Sequence, residues 1–179
     1  MKLKTTGLLT LVSVMGFAAN ANAGMLVDLY AGGTFGSGGM TVFNDKDKIS
    51  DTSTSYGAVF GIDIPVVRVE AEYNYLNGKD VNMSLGMLNA YLKMPATVIK
   101  PYLGVGVGTA FGGKYADTID IDTTAAYQGM LGITFDLPQL PVKFDVEGRA
   151  VYVPDIIEVM TIKPDMLNYD LRLKVRYVF

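Results

Sequence analysis

Four carboxylates stand in two pairs, Glu70 with Glu72 and Asp145 with Glu147, each pair spaced by one residue. Two carboxyl groups side by side are the raw material of acid and base chemistry. Each pair, however, shares its segment with cations: Arg68 precedes the first, and Lys143 and Arg149 flank the second. A neighbouring cation keeps a carboxylate ionised, so neither pair is expected to hold the proton that a general acid needs. A third acidic group, Asp117, Asp120 and Asp122, lies around the stretch TIDID. A hard divalent cation needs six or more well-placed oxygens, so a solvated acidic loop is the expectation here. The chain has no histidine and no cysteine. Serine activated by histidine, histidine zinc sites and disulfide or thiolate chemistry are thereby removed, and no catalytic residue, metal or cofactor is expected.

The segments that carry these charges alternate. A strand sends successive side chains to opposite faces, so residues two apart share a face. Arg68, Glu70, Glu72 and Asn74 fall together, opposite Val67, Val69, Ala71, Tyr73 and Tyr75. Lys143, Asp145, Glu147 and Arg149 form a second set, and Asp170, Arg172, Lys174 and Arg176 a third in the terminal stretch NYDLRLKVRYVF. Asp28, Asp63, Asn89, Lys93 and Gln128 take matching positions elsewhere, with Tyr30 and Tyr91 on the same face. The set holds seven carboxylates (Asp28, Asp63, Glu70, Glu72, Asp145, Glu147, Asp170) and seven cations (Arg68, Lys93, Lys143, Arg149, Arg172, Lys174, Arg176). Enclosed charges must be paired, whereas a wet face needs no such balance, so the match points to an interior.

Eight alternating segments can be delimited: 25–36, 52–64, 66–76, 83–94, 102–112, 123–135, 142–153 and 168–179. Connections after the second, fourth and sixth are short and carry prolines; those after the odd-numbered segments are longer or more polar. Half the residues are hydrophobic, yet no apolar run beyond the first residues approaches the roughly 20 that a membrane helix requires. In lipid the remaining way to satisfy every backbone group is a closed barrel. The expected fold is therefore an all-β, eight-stranded, antiparallel, up-and-down transmembrane barrel with a polar, side-chain-filled interior and short turns at the periplasmic end. Tyr56, Tyr73, Tyr75, Tyr127, Tyr152, Tyr169, Tyr177 and Phe179 fall near segment ends on the apolar side, where aromatic girdles meet the headgroups.

Residues 1–23 read as a secretory signal peptide, with Lys2 and Lys4 before an apolar run and Ala21, Asn22, Ala23 at the cleavage site, leaving 24–179 as one barrel domain. Without the leader the balance is 13 basic to 18 acidic residues, a net of −5, which disfavours nucleic-acid binding.

The stretches PYLGVGVG (101–108), MLNAYLK (87–93), AYQGMLG (126–132) and the terminal RYVF resemble the outer-membrane protein beta-barrel family, the small surface barrels of the OmpA and OmpX type. The resemblance implies a Gram-negative outer-membrane location and a terminal signal, Tyr177 and Phe179, read by the barrel-assembly machinery. It implies no activity; the histidine-dependent lipid A deacylase and palmitoyltransferase patterns found in some such barrels have no counterpart. Nor has the peptidoglycan-binding domain of longer relatives, so no cell-wall tether is expected. The expected role is structural or surface-interacting, adhesin-like, through extracellular loops. A narrow pore and a soluble lipocalin-like barrel, which reverses the polarity of the faces, are the alternatives. Expected partners are outer-membrane lipid and lipopolysaccharide, whose phosphates Lys46, Lys48, Lys79, Lys114 and Lys163 could meet, and a host or cell-surface protein. The apolar stretch PDIIEVMTIKPD (154–165) is expected to continue the last hairpin above the membrane, or else to form a partner surface.

Overall fold

The computed structural model describes residues 27–43, 48–79, 81–96, 98–115, 119–121, 123–137, 140–156 and 164–179. The leader, Lys46, Lys163, Asp117, Asp122 and residues 157–163 lie outside them. The strands are β1 (Asp28–Phe43), β2 (Lys48–Asp63), β3 (Val67–Gly78), β4 (Val81–Lys93), β5 (Ile99–Tyr115), β6 (Ile119–Ile121), β7 (Thr124–Asp136), β8 (Val142–Val153) and β9 (Asp165–Val178).

Every pairing is antiparallel. The sheet runs β4-β3-β2-β1-β9-β8-β7-β5 and closes through β4 against β5, giving a barrel of eight staves. The ninth strand, β6, pairs only with the top of β5, Gly113–Tyr115 against Ile119–Ile121, and is a small hairpin outside the closed ring. Closure removes both sheet edges, so the ring leaves no open row of backbone donors facing lipid.

Alternation along β9 shows why these residues form staves. Every second residue from Met166 to Arg176 is buried, and the residues between them are exposed. The exposed set is apolar: Leu88, Val105, Leu131 and Leu171 are each 63–67 % exposed. Tyr56, Tyr73, Tyr127, Tyr152, Tyr169, Tyr177 and Phe179 are also exposed. This is the reverse of a lipocalin-like barrel, and the soluble alternative is discarded on that ground.

Two features differ from the alternation read in sequence. The staves are taller at the loop end: β1 continues through Ser37–Phe43, β2 begins at Lys48, β5 reaches Tyr115 and β9 begins at Asp165. Ser, Thr, Gly and Asp predominate in the β1–β2 extension, so the apolar alternation is lost there while backbone pairing persists, Phe43 still lying opposite Lys48.

The interior is also divided by height. Its lower and middle levels are polar, but the loop end is filled by an apolar cluster including Met40, Leu76, Val81, Met83, Leu85, Met87, Val151, Val153, Ile156 and Met166. The strand residues of this cluster keep the inward parity of their strands, and methionine fills irregular gaps. Ile156 donates its backbone N–H to Pro164 O at 3.0 Å, closing the base of the last hairpin.

Candidate functional site

Period two along β3, β8 and β9 projects three rows of charge into one lumen, and the register sets acid against base. Glu147 lies opposite Arg172, and Arg149 opposite Asp170. At the short-turn end, Lys143 Nζ lies 2.8 Å from Asp28, 3.5 Å from Asp63 and 3.6 Å from Asp136. Lys93 pairs with Asp63, and Lys100 with Asp136 at 2.5 Å. These six side chains line a polar pit of about 310 Å³, whose rim includes Pro65 and Pro95.

One layer up, Arg176 grips Asp145 with two donors, Nε at 2.7 Å and Nη2 at 2.9 Å, and reaches Asp63 at 3.2 Å. Such bidentate geometry fixes orientation as well as supplying energy. Thr134 donates to the same Asp145 carboxylate at 2.5 Å. Arg68 lies 3.3 Å from Asp145, with its guanidinium 3.9 Å from the Tyr91 ring centroid and 4.6 Å from that of Tyr102. Two aromatic faces supplement a single carboxylate in holding that charge.

The middle layers interlock. Lys174 pairs with Glu70 at 2.8 Å, and Glu70 also accepts from the hydroxyls of Tyr30 at 2.7 Å and Tyr91 at 2.8 Å. Arg172 bridges Glu72 and Glu147, reaching from β9 to both β3 and β8. Asn89 and Gln128 donate to Glu72 at 2.8 and 3.2 Å, and Tyr102 donates to Glu147 at 3.0 Å. Arg149 clasps Asp170 at 3.0 and 2.5 Å, and Ser55 donates to Asp170 at 2.7 Å. A neutral layer follows, in which Ser53 donates to Asn168 and Asn74 to Thr34. The apolar cluster begins above it.

All fourteen charged residues named from the sequence line this lumen, and Arg68, Glu70, Glu147, Arg172 and Arg176 are each 0 % exposed. Glu70 and Glu72 each carry a cation, Lys174 on Glu70 and Arg172 on Glu72. Three features were missed. Lys100 and Asp136 form an eighth pair; Lys100 sits between Pro95 and Pro101 in what reads as a turn. Tyr102 points inward, although its parity with the inward Gly104 and Gly106 was available as a signal. The neutral polar side chains Thr34, Ser53, Ser55, Thr134 and Asn168 carry no charge to mark their face.

The GVGVG run of β5 now has a physical account. Its valines face outward, while a Cβ on Gly104 would lie 2.4 Å from the Tyr91 ring and one on Gly106 only 2.1 Å from Asn89 Oδ1. Bare backbone on β5 leaves the room that Tyr91 and Asn89 occupy.

Among the described residues no group of three or more acidic side chains is disposed to hold a metal ion. Ile119–Ile121 of the acidic stretch forms β6; Asp117 and Asp122 fall outside the described residues. Tyr177 and Phe179 stack edge to face on the outer surface, ring centroids 5.5 Å apart.

Comparison with known proteins gives one family and several solved structures, among them the two described below. The family model for the outer membrane protein beta-barrel domain matches residues 8–179. No curated protein matches the sequence. The crystal structure of Neisserial surface protein A is similar at 18 % identity with a TM-score of 0.60, covering 84 % of this chain and 97 % of that one. The N-terminal β-barrel domain of Pseudomonas aeruginosa OprF is similar at 11 % identity with a TM-score of 0.48, covering 82 % and 97 %.

Proposed function

The chain belongs to the outer membrane protein beta-barrel domain family, and from that premise we propose that it is a non-enzymatic outer-membrane barrel whose work is done at the cell surface, by loops that contact lipopolysaccharide and a host or neighbouring-cell protein. The observation carrying this reading is the state of the lumen. Ion pairs cross it at the level of Glu72, Arg172 and Glu147, and the apolar cluster fills it at the loop end. A barrel of eight staves has an interior just wide enough for side chains. The buried carboxylates are engaged by cations, which supports a reading without acid–base catalysis or free diffusion.

The surface that remains is the loop end, where β1, β2, β5 and β9 rise beyond the apolar belt. Exposed Lys79 lies there, suited to lipid phosphates. Residues 1–23 would direct export and be cleaved in its course, and the outward pair Tyr177 and Phe179 on β9 would serve as the signal for the assembly machinery. The name of the Neisserial relative, a surface protein, is in keeping with this role.

The test uses cells expressing the protein with residues 157–163 or 116–118 replaced by short glycine–serine links. Such variants are expected to reach the outer membrane and fold, and to lose binding to host or neighbouring cells relative to the parent. Steady conductance steps from purified protein in planar bilayers would instead establish the pore and end this reading.

A further inference from the structure

The outer wall of the barrel is not uniform. A groove of about 540 Å³ runs across β9, β1, β2 and β3, with Gly33 and Ala58 as its floor, Leu173 and Tyr73 as its sides, and Phe35 and Tyr56 toward the loop end. We propose that this groove holds one acyl chain of an outer-leaflet lipid as a fixed, stoichiometric ligand, distinct from the mobile chains around the rest of the belt. The proposal rests on the surface reading for its leaflet, since the groove lies at the loop-end side of the belt.

The floor is open for a reason that barrel packing does not supply. At Gly32 an added Cβ would lie 2.3 Å from Val175 O, so the closed sheet itself demands glycine there. At neighbouring Gly33 an added Cβ would meet nothing nearer than Gly57 O at 3.9 Å, an ordinary contact. The barrel would accept a side chain at Gly33, and its bare backbone deepens the groove instead.

The occupant follows from chemistry and position. The groove is continuous with the lipid-facing belt, and its exposed walls are hydrocarbon and aromatic ring. Its polar side-chain atoms among the described residues are hydroxyls: Tyr73 OH is within hydrogen-bonding distance of Ser84 Oγ at 3.1 Å, Thr34 Oγ1 already accepts from Asn74 inside the lumen, and Tyr56 lies at the girdle. A peptide segment would find no partners for its backbone here, at a high cost in lipid. A flexible hydrocarbon chain needs none, and rings beside its upper end restrict it by contact alone.

The test counts motion-restricted chains by electron spin resonance. The folded protein is placed in dimyristoylphosphatidylcholine bilayers containing phosphatidylcholine spin-labelled near the chain methyl end. Gly33→Phe is expected to lose one restricted chain per barrel. Gly129→Phe, also outward, where an added Cβ meets nothing within 4 Å, is expected to leave the count unchanged. Ala58→Phe is the second filler should Gly33→Phe not fold, judged by the heat-dependent shift on gels. Equal counts in parent and filled barrels would overturn the proposal, as would a disulfide between copies formed by Gly33→Cys, which would make a second copy the occupant. Protease cleavage of loops on intact cells reads orientation separately: shielded loops would overturn the leaflet and the surface reading, while the chain count in symmetric bilayers still decides the site.

Discussion

Arg172 illustrates the rule that governs the interior at the scale of single residues. Its guanidinium is removed from water and lies between Glu72 and Glu147, so its desolvation is offset only because both carboxylates are in place. Arg176 plays the same part lower down, holding Asp145 with two donors. Truncating one member strands the other, a change that typically costs about 3 to 5 kcal/mol. Arg176→Leu is therefore expected to lower the unfolding free energy by about that amount, measured by urea titration in phospholipid vesicles. The pair Arg149 and Asp170 tests the cause, since Glu72, the other carboxylate near Arg149, keeps Arg172: Arg149→Leu with Asp170→Leu is expected to be more stable than Arg149→Leu alone. A double variant as unstable as Arg149→Leu would show that shape, and not an orphaned charge, is responsible.

At the scale of the strand, one face meets lipid and the other meets the lumen, so neighbouring residues obey opposite rules. Val175 is exposed between the buried Lys174 and Arg176. Val175→Arg is expected to cost about 2 to 4 kcal/mol, the range for a cation on the lipid face near the bilayer midplane. Bilayer folding equal to the parent would reverse the assignment of faces. Strand β5 gives a contrast in volume instead of charge. Gly106→Leu drives a Cβ to within 2.1 Å of Asn89 Oδ1 and is expected to destabilise by about 1 to 3 kcal/mol. Gly129→Leu, outward on β7 with open space around it, is expected to change stability by less than about 0.5 kcal/mol. The same urea titration checks both, and its outcome depends on which way each glycine points.

For the whole molecule, burial of the ionic network has a consequence for salt. Enclosed pairs are screened far less than exposed ones. The unfolding free energy in bilayers is expected to vary little as ionic strength rises from about 0.1 M, where the Debye length is about 10 Å, to about 1 M, where it is about 3 Å. A steep loss of stability across that range would mean that electrolyte reaches the central layers, and would favour a wet channel. The polar pit at the short-turn end is the one level among the described layers where some response is expected, since the Asp28 side chain is 46 % exposed.

Much of this is legible in the chain itself. Which residues share a face follows from the pleat, which is local covalent geometry; hence the parity of Arg68, Glu70 and Glu72, or of Asp170, Arg172 and Lys174, could be read directly. Where strands end could not, because the extensions from Ser37 to Phe43 and from Lys48 to Asp51 lack an apolar alternation while their backbones still pair. Nor could the height at which the lumen turns from ionic to apolar, since parity with Asn89 turns Met83, Leu85 and Met87 inward without saying what they meet there. Partnership lay furthest out of reach. Arg172 meets Glu72 at a separation of 100 residues, and that meeting depends on closure of β4 onto β5 and on the stagger of every stave between. Alternation is a property of one strand, whereas pairing across a lumen belongs to the closed cylinder.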